Sequence, residues 1–438
     1  MQQPHQKTPA ITKIPSKGFA APLMGGYGYV KLQNCSWRLH GHPQNFVIVS
    51  GFIKPKDRPM NKLLLGTSAL VGAIAFAGAA MADAPKVTLG GFVNFQAGYV
   101  SEDSPYDANK QDVKFRNDTE IHVRVDGKSD NGLGYGAVIE LEADQTQDRA
   151  SQDSNADKTF VYLEGGWGRF ELGGNVGVTK TMKVDAATFA RATGGIDGDW
   201  WLFAGGPAGN GYIISPDLVA DHGTLTSGSY IGRDKTGEDA NKITYYSPRF
   251  SGFQVGFSYT PDLGDTGQNA TALSNVSGVE DIISGGINYN NQFGDIGLTA
   301  ALTGEWGDSK LAAQEDLRAW NVGGALTWSG FTFGASYGSW GDSLQASGAS
   351  NDDSDYWTLG LAYDFGPFGA SATYLSSQVE QAGGTDNEFQ NIALGLDYML
   401  APGLVPYVEV NFFEFDDAAG AGVDNEGTTV LVGTQLTF

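Results

Sequence analysis

Hydrophobic and polar positions alternate with period two along most of this chain. Phe253, Val255, Phe257 and Tyr259 are interleaved with Gln254, Gly256, Ser258 and Thr260. Phe331, Phe333, Ala335 and Tyr337 alternate with Thr332, Gly334, Ser336 and Gly338, and Ile392, Leu394, Leu396 and Tyr398 with Asn391, Ala393, Gly395 and Asp397. At the end of the chain Val430, Val432, Leu436 and Phe438 are set against Thr429, Gly433, Gln435 and Thr437. Successive side chains of a strand point to opposite faces, so each segment reads as a strand with one apolar and one polar face.

Two architectures satisfy that pattern. A soluble sandwich packs the apolar faces together, whereas a membrane barrel turns them to lipid and encloses the polar faces. The connections discriminate. Seven are tight, at Ser129–Gly132, Gly165–Gly168, Arg249–Gly252, Asn291–Gly294, Trp328–Gly330, Phe365–Pro367 and Ala401–Leu404. They alternate with longer polar ones near 101–112, 145–157, 174–240, 261–280, 307–316, 341–354, 380–388 and 416–427. Short turns at one end and long loops at the other predict an all-β, sixteen-stranded antiparallel transmembrane barrel with both chain ends on the short-turn side. Aromatics near strand ends (Tyr99, Trp167, Phe170, Tyr259, Trp306, Trp320, Trp328, Trp340 and Trp357) fit interfacial girdles. A barrel of about sixteen strands is too wide for side chains to fill and leaves an aqueous channel.

The leading segment differs from the rest. Met60-Asn61-Lys62 opens a basic start, Leu63 to Ala80 is uncharged, and Ala80-Met81-Ala82 places small residues before Asp83. This is the pattern of a secretory signal peptide over 60–82, with 1–59 an over-long gene start and 83–438 the barrel. Nine of the 27 Lys and Arg, but only one of the 50 acids, precede residue 83. Residues 83–438 therefore hold 18 basic and 49 acidic side chains, a net of −31. Such a charge argues against nucleic acid as a partner. The single cysteine, Cys35, lies in the leader, which excludes disulfide frameworks, zinc–thiolate sites and thiol catalysis in the barrel.

Several segments resemble the Gram-negative porin family, in particular general-diffusion porins of alphaproteobacteria. They are Val87–Val100, the run Gly168-Arg169-Phe170-Glu171-Leu172-Gly173, and Asn241 through Tyr259. The resemblance implies a homotrimer in the outer membrane, in contact with lipid and lipopolysaccharide. It also implies a third long loop, here 174–240, folded into the barrel to narrow it, and a C-terminal aromatic, Phe438, read as an assembly signal. On that analogy Asp185, Asp197, Asp199, Asp217 and Asp221 are candidate constriction acids. In strand two, Ile121, Val123 and Val125 take the lipid side, which turns His122, Arg124 and Arg116 inward as a candidate basic pore wall. Small lipid-side residues, Ala370 and Ala372, are candidate trimer contacts. Outer-loop acids (Asp352, Asp353, Asp355, Asp416, Asp417) read as solvated charges, with divalent-cation bridging to lipopolysaccharide as their alternative.

The expected function is passive diffusion of small hydrophilic solutes and ions, weakly cation-preferring, with no cofactor or metal. The alternatives are a channel biased toward a sugar or organic anion, and a surface protein for which the barrel is only an anchor. Catalysis is not expected. Gly334-Ala335-Ser336-Tyr337-Gly338 matches a nucleophile elbow but sits mid-strand with no helix after it, and only His122 and His222 follow the leader.

Overall fold

The computed structural model describes residues 71–74, 84–103, 111–144, 156–205, 211–222, 240–267, 278–348, 354–381, 385–418 and 424–438. The candidate cleavage site, residues 1–59, Asp352 and Asp353 lie outside them. Sixteen long strands follow one another. They are β1 (Lys86–Glu102), β2 (Val113–Lys128), β3 (Gly134–Glu142), β4 (Ala156–Gly165), β5 (Gly168–Gly174) and β6 (Asn241–Tyr246). Then come β7 (Phe253–Asp262), β8 (Val279–Phe293), β9 (Ile296–Ser309), β10 (Leu317–Trp328) and β11 (Phe331–Gly341). The set ends with β12 (Ser354–Phe365), β13 (Phe368–Gln381), β14 (Thr385–Tyr398), β15 (Leu404–Asp416) and β16 (Asn425–Thr437).

Each strand pairs antiparallel with its neighbours in sequence, and β16 closes the cylinder on β1 from Gly427↔Glu102 to Thr437↔Phe92. The last residue completes the seam: the Phe438 N–H donates to the Gly91 carbonyl (3.0 Å), and the Phe438 carbonyl accepts from the Gly91 amide (3.1 Å). Closure has a physical cause, because in hydrocarbon an unpaired strand edge finds no water for its N–H and C=O groups. A short strand, Val71–Ile74, lies along β1 opposite Val87–Leu89, below the point where β16 ends.

The faces are inverted relative to a soluble protein. Leu326, Phe333, Leu359, Leu361, Ile392, Leu394, Leu396 and Val432 are exposed, while Gln96, Thr244, Ser258, Thr303, Asn321, Thr358, Asn391 and Asn411 are buried inside. Exposed aromatics form a ladder at the short-turn end, Phe331–Tyr363, Tyr363–Phe365, Phe365–Phe368 and Phe368–Tyr398, with ring centroids 4.1–5.3 Å apart. The tight turns fall where the sequence places them, with Gly330 (φ 87°) and Gly366 (φ 64°) taking the left-handed conformation that short hairpins require.

Two expectations need correction. The connection expected over 380–388 is shorter, since β13 and β14 stay paired to Gln381↔Thr385. Beyond the bilayer both faces of a strand meet water, so Glu380 and Asp386 look like loop residues although they lie in the ladder. Trp340 is not a girdle residue: it has inward parity and is buried, its indole donating to the Asp217 carbonyl (3.1 Å).

Leu394, which is 45% exposed and flanked by Ile392 and Leu396, tests the orientation. Leu394→Arg is expected to cost roughly 2–4 kcal/mol of folding free energy in lipid vesicles, followed by urea titration, as a cation at mid-bilayer does. A loss below about 1 kcal/mol would place Leu394 away from hydrocarbon.

Candidate functional site

The described residues between β5 and β6 lie against the inner wall. They contain α1 (Val178–Met182), three single 3-10 turns at Ala187–Phe189, Gly195–Asp197 and Asp199–Leu202, and α2 (Val219–His222). The outgoing limb sweeps past β7 to β15 and reaches β1 and β2. The Ser258 hydroxyl accepts the Val178 amide (3.1 Å), Thr358 that of Ala186 (3.2 Å), and Ser371 that of Arg191 (2.9 Å). Arg191 pairs with Asp364 and stands 3.9 Å from Asp397. Glu409 accepts the Thr193 amide (3.0 Å), the Thr193 hydroxyl (2.8 Å) and the Gly195 amide (3.1 Å).

The return limb runs back from β14 to β9. Asn387 donates to Gly211 O (3.1 Å), Ser377 to Ile213 O (2.6 Å) and Tyr356 to Pro216 O (3.0 Å), and Glu305 accepts the Ala220 amide (2.9 Å). Between the limbs and the wall lies an apolar cluster. Trp200 stacks on Phe389 and Phe413 at centroid distances of 5.7 and 5.3 Å, and Ile196, Ile213, Ile214, Leu375 and Val379 surround it. Inward glycines make room for the loop. A Cβ at Gly323 would fall 1.8 Å from the Val184 carbonyl oxygen, and one at Gly98 would fall 2.2 Å from the Phe203 ring.

The candidate loop acids separate into two kinds. Asp185 and Asp217 are fully buried and close on Lys183, whose Nζ lies 2.9 Å from Asp185 Oδ2 and also contacts Asp217. Lys180 adds a 2.6 Å contact to Asp217 and stands 3.8 Å from Asp197. Burial pushes the Asp185 carboxyl up from its ordinary pKa, further than Lys183 draws it back. Burial opposes the Lys183 ammonium too, yet Asp185 and Asp217 overcome it and raise its pKa. These two acids hold the loop together and do not line the aqueous path. Asp197 and Asp199 remain 21% and 24% exposed, and Asp199 reaches across to the wall, 2.6 Å from Gln96 Nε2 and 3.6 Å from Arg116 Nη1. Asp221 lies in α2, but its side chain is outside the described set.

The described residues of the loop meet the inner face of β2 to β5 at its upper end, 3.3 Å from Lys114 Nζ and 3.6 Å from Arg116 Nη1. The candidate basic residues sit on that face, each beside an acid two positions away: Arg116 with Asp118 (3.0 Å), His122 with Glu120 (2.7 Å), and Arg124 with Asp126 (2.9 Å). Lys158 holds Glu140 (2.7 Å) and Asp157 (3.0 Å), and Arg169 holds Glu171 (2.7 Å) and Glu164 (2.9 Å). The wall is a ladder of paired charges, not a purely positive stripe. Arg169 also lies over the Tyr162 ring, 3.9 Å from its centroid. The described part of the loop thus lies mainly along β7 to β15, and the β2–β5 wall carries the paired charges.

The family model described as "Gram-negative porin" matches residues 66–418. The chain belongs to the Gram-negative porin family. Outer membrane porin protein 32 of Delftia acidovorans is 26% identical over 377 residues, covering 85% of this chain and 84% of that one. An uncharacterized protein of Rickettsia felis is 26% identical, covering 81% and 93%. Among solved structures, an anion-selective porin from Comamonas acidovorans superposes with TM-score 0.57 at 20% identity, covering 81% of this chain and all of that one. A loop-deletion form of OmpT, an outer membrane protein of Vibrio cholerae, gives 0.55 at 14% identity, covering 81% and 100%. This porin is an outer-membrane β-barrel and a channel protein.

Sequence reading passes over Glu409, Arg191 and Lys183, which pin the loop. Their signal is indirect. Inward-parity glycines on β7 to β14 (Gly256, Gly286, Gly323, Gly334, Gly360, Gly395) mark where the loop approaches, its backbone at Gly323 and Gly395 and its side chains at the others.

Proposed function

We propose that this porin passes small hydrophilic solutes and ions by passive diffusion, with a weak preference for cations, through the space between its third loop and the β2–β5 wall. The observation that carries this reading is the closed cylinder with buried polar and exposed apolar faces. Cation preference is supported by the balance on that wall. Asp118, Glu120, Asp126, Glu140, Glu142, Glu164 and Glu171 outnumber Lys114, Arg116, Arg124, Lys128, Lys158 and Arg169. Acids along a pore concentrate cations and repel anions. The solved Comamonas relative bears the opposite label, anion-selective, and at 20% identity it speaks for the fold alone.

In a planar bilayer under a salt gradient, the reversal potential is expected to carry the sign of cation selectivity. Near 1 M salt, where the Debye length is about 3 Å, the preference should fade. A reversal potential of anionic sign at low salt would overturn the reading. A trimer with Ala370 and Ala372 near the contact, cleavage after Ala82, and Phe438 as the assembly signal belong to the same proposal. Ala372 is exposed on the outer face of β13, as a subunit contact would require.

A further inference from the structure

On the β2–β5 wall, Glu120 and His122 project from β2 and Glu140 from β3. His122 stands directly across from Glu140 in the ladder, and Glu120 across from Glu142. One donor atom from each of Glu120, His122 and Glu140 lies within 4.8 Å of the others. His122 Nε2 is 2.7 Å from Glu120 Oε2, and the imidazole meets Phe92 edge-on, centroids 6.1 Å apart at 82°, which fixes the plane of the ring. Glu140 uses Oε2 toward Lys158.

We propose that Glu120, His122 and Glu140 form a binding site for a first-row divalent transition cation of the Zn²⁺ class, facing the lumen. The donor set is the argument. One imidazole and two carboxylates suit Zn²⁺, whereas Mg²⁺ prefers an all-oxygen octahedral shell that keeps its waters. Three protein donors with an open fourth position is also the arrangement of a zinc site that exchanges its outer ligand. Donors on one zinc at about 2.0–2.2 Å stand roughly 3.5 Å apart, so a 4.8 Å cluster closes by side-chain rotation without moving the strands. The cation takes the place of the hydrogen between His122 Nε2 and Glu120. Lys158 keeps Asp157 at 3.0 Å when Glu140 turns, so its ammonium stays paired.

The inference rests on reading the β2–β5 wall as water-lined. A bound cation there adds positive charge to the wall of the permeation path, and so slows cation flow. Micromolar Zn²⁺ is expected to reduce single-channel current, and Mg²⁺ at the same concentration to leave it unchanged.

The deciding experiment is equilibrium dialysis of the detergent-purified full protein against Zn²⁺. One ion per chain is expected in the wild type, with affinity reduced at least about tenfold in His122→Ala and in Glu140→Gln, the smallest effect that losing even an outer-sphere partner has. Absence of stoichiometric Zn²⁺ binding by the wild type overturns the proposal, whatever the variants do. Undiminished binding in both variants, with their barrels shown intact by heat-modifiable gel migration, overturns it equally. Conductance without Zn²⁺ reports on the channel reading alone, so a silent channel that still binds Zn²⁺ would sink that reading and keep this one.

Discussion

Replacing Glu409 with alanine is expected to free the tip of the third loop and to make the open channel larger and noisier. Glu409 points inward from β15, is fully buried, and accepts three hydrogen bonds from Thr193 and Gly195 besides one from Asn411 (2.9 Å). Its carboxylate accepts the Thr193 and Gly195 amides, and those donors would lose that acceptor. A buried donor stripped of its acceptor costs about 1–3 kcal/mol. Three such donors, with allowance for shared desolvation, give a destabilisation of the docked tip of about 4 kcal/mol. That is a shift of roughly a thousandfold in its docking equilibrium.

The barrel should survive, since its ladders do not pass through this side chain. Single-channel recording checks the outcome: higher mean conductance with frequent sublevels in Glu409→Ala, and a milder effect in Glu409→Gln, which keeps one acceptor oxygen. A quiet current of wild-type size in the alanine variant would show that the aromatic cluster around Trp200 holds the tip unaided.

How much of this was legible in the sequence depends on period. A strand repeats every two residues, so the parity of Ile121, Val123 and Val125 suffices to turn Arg116, His122 and Arg124 inward, which is where they lie. The same rule places Asp118, Glu120 and Asp126 on that face. Spacing of i, i+2 within a strand is therefore a visible sign of charge pairing, and attending to the bases alone makes the wall look more positive than it is. Trp340 shows the other side of the rule. Residue type suggests a girdle, but its parity, opposite to that of Tyr337, already points inward.

The loop has no such repeat. Nothing in the spacing of Asp185, Asp197, Asp199 and Asp217 separates two buried acids from two partly exposed ones. That outcome depends on the wall of β7 to β15, far away in sequence, and on Lys183 lying between both buried carboxylates.

Lys183 is accordingly the second site where a single change should have a large effect. Lys183→Met keeps the length and apolar stem of the side chain and removes its charge. Asp217 retains Lys180, but Asp185 keeps only its contact with the Thr188 amide (3.0 Å). Stranding one partner of a buried ion pair costs about 3–5 kcal/mol. The loop base should loosen, seen as proteolysis within 183–217 of a barrel that still migrates as folded. Asp185→Asn should be far milder, because it removes a charge that burial already disfavours.

The pH dependence has a definite sign. The Lys183 pKa is raised in the folded protein. Its contribution is complete below the ordinary lysine value of about 10.4 and is lost as pH climbs from there toward the raised value. Asp185, also raised, acts in the opposite sense at the acid end: the folded form binds its proton more tightly than the unfolded one. Stability from this group therefore falls as pH rises from the ordinary carboxylate range toward the raised value. Wild-type loop protection should thus hold through neutral pH and weaken progressively above about pH 10.4, where an unfolded-state lysine starts to lose its proton while the folded one still holds it. In Lys183→Met it should already be weak at neutral pH and recover on acidification, as Asp185 takes up its proton. Equal protease resistance of the two proteins at pH 7 would show that the Lys183 ion pairs do not hold the loop.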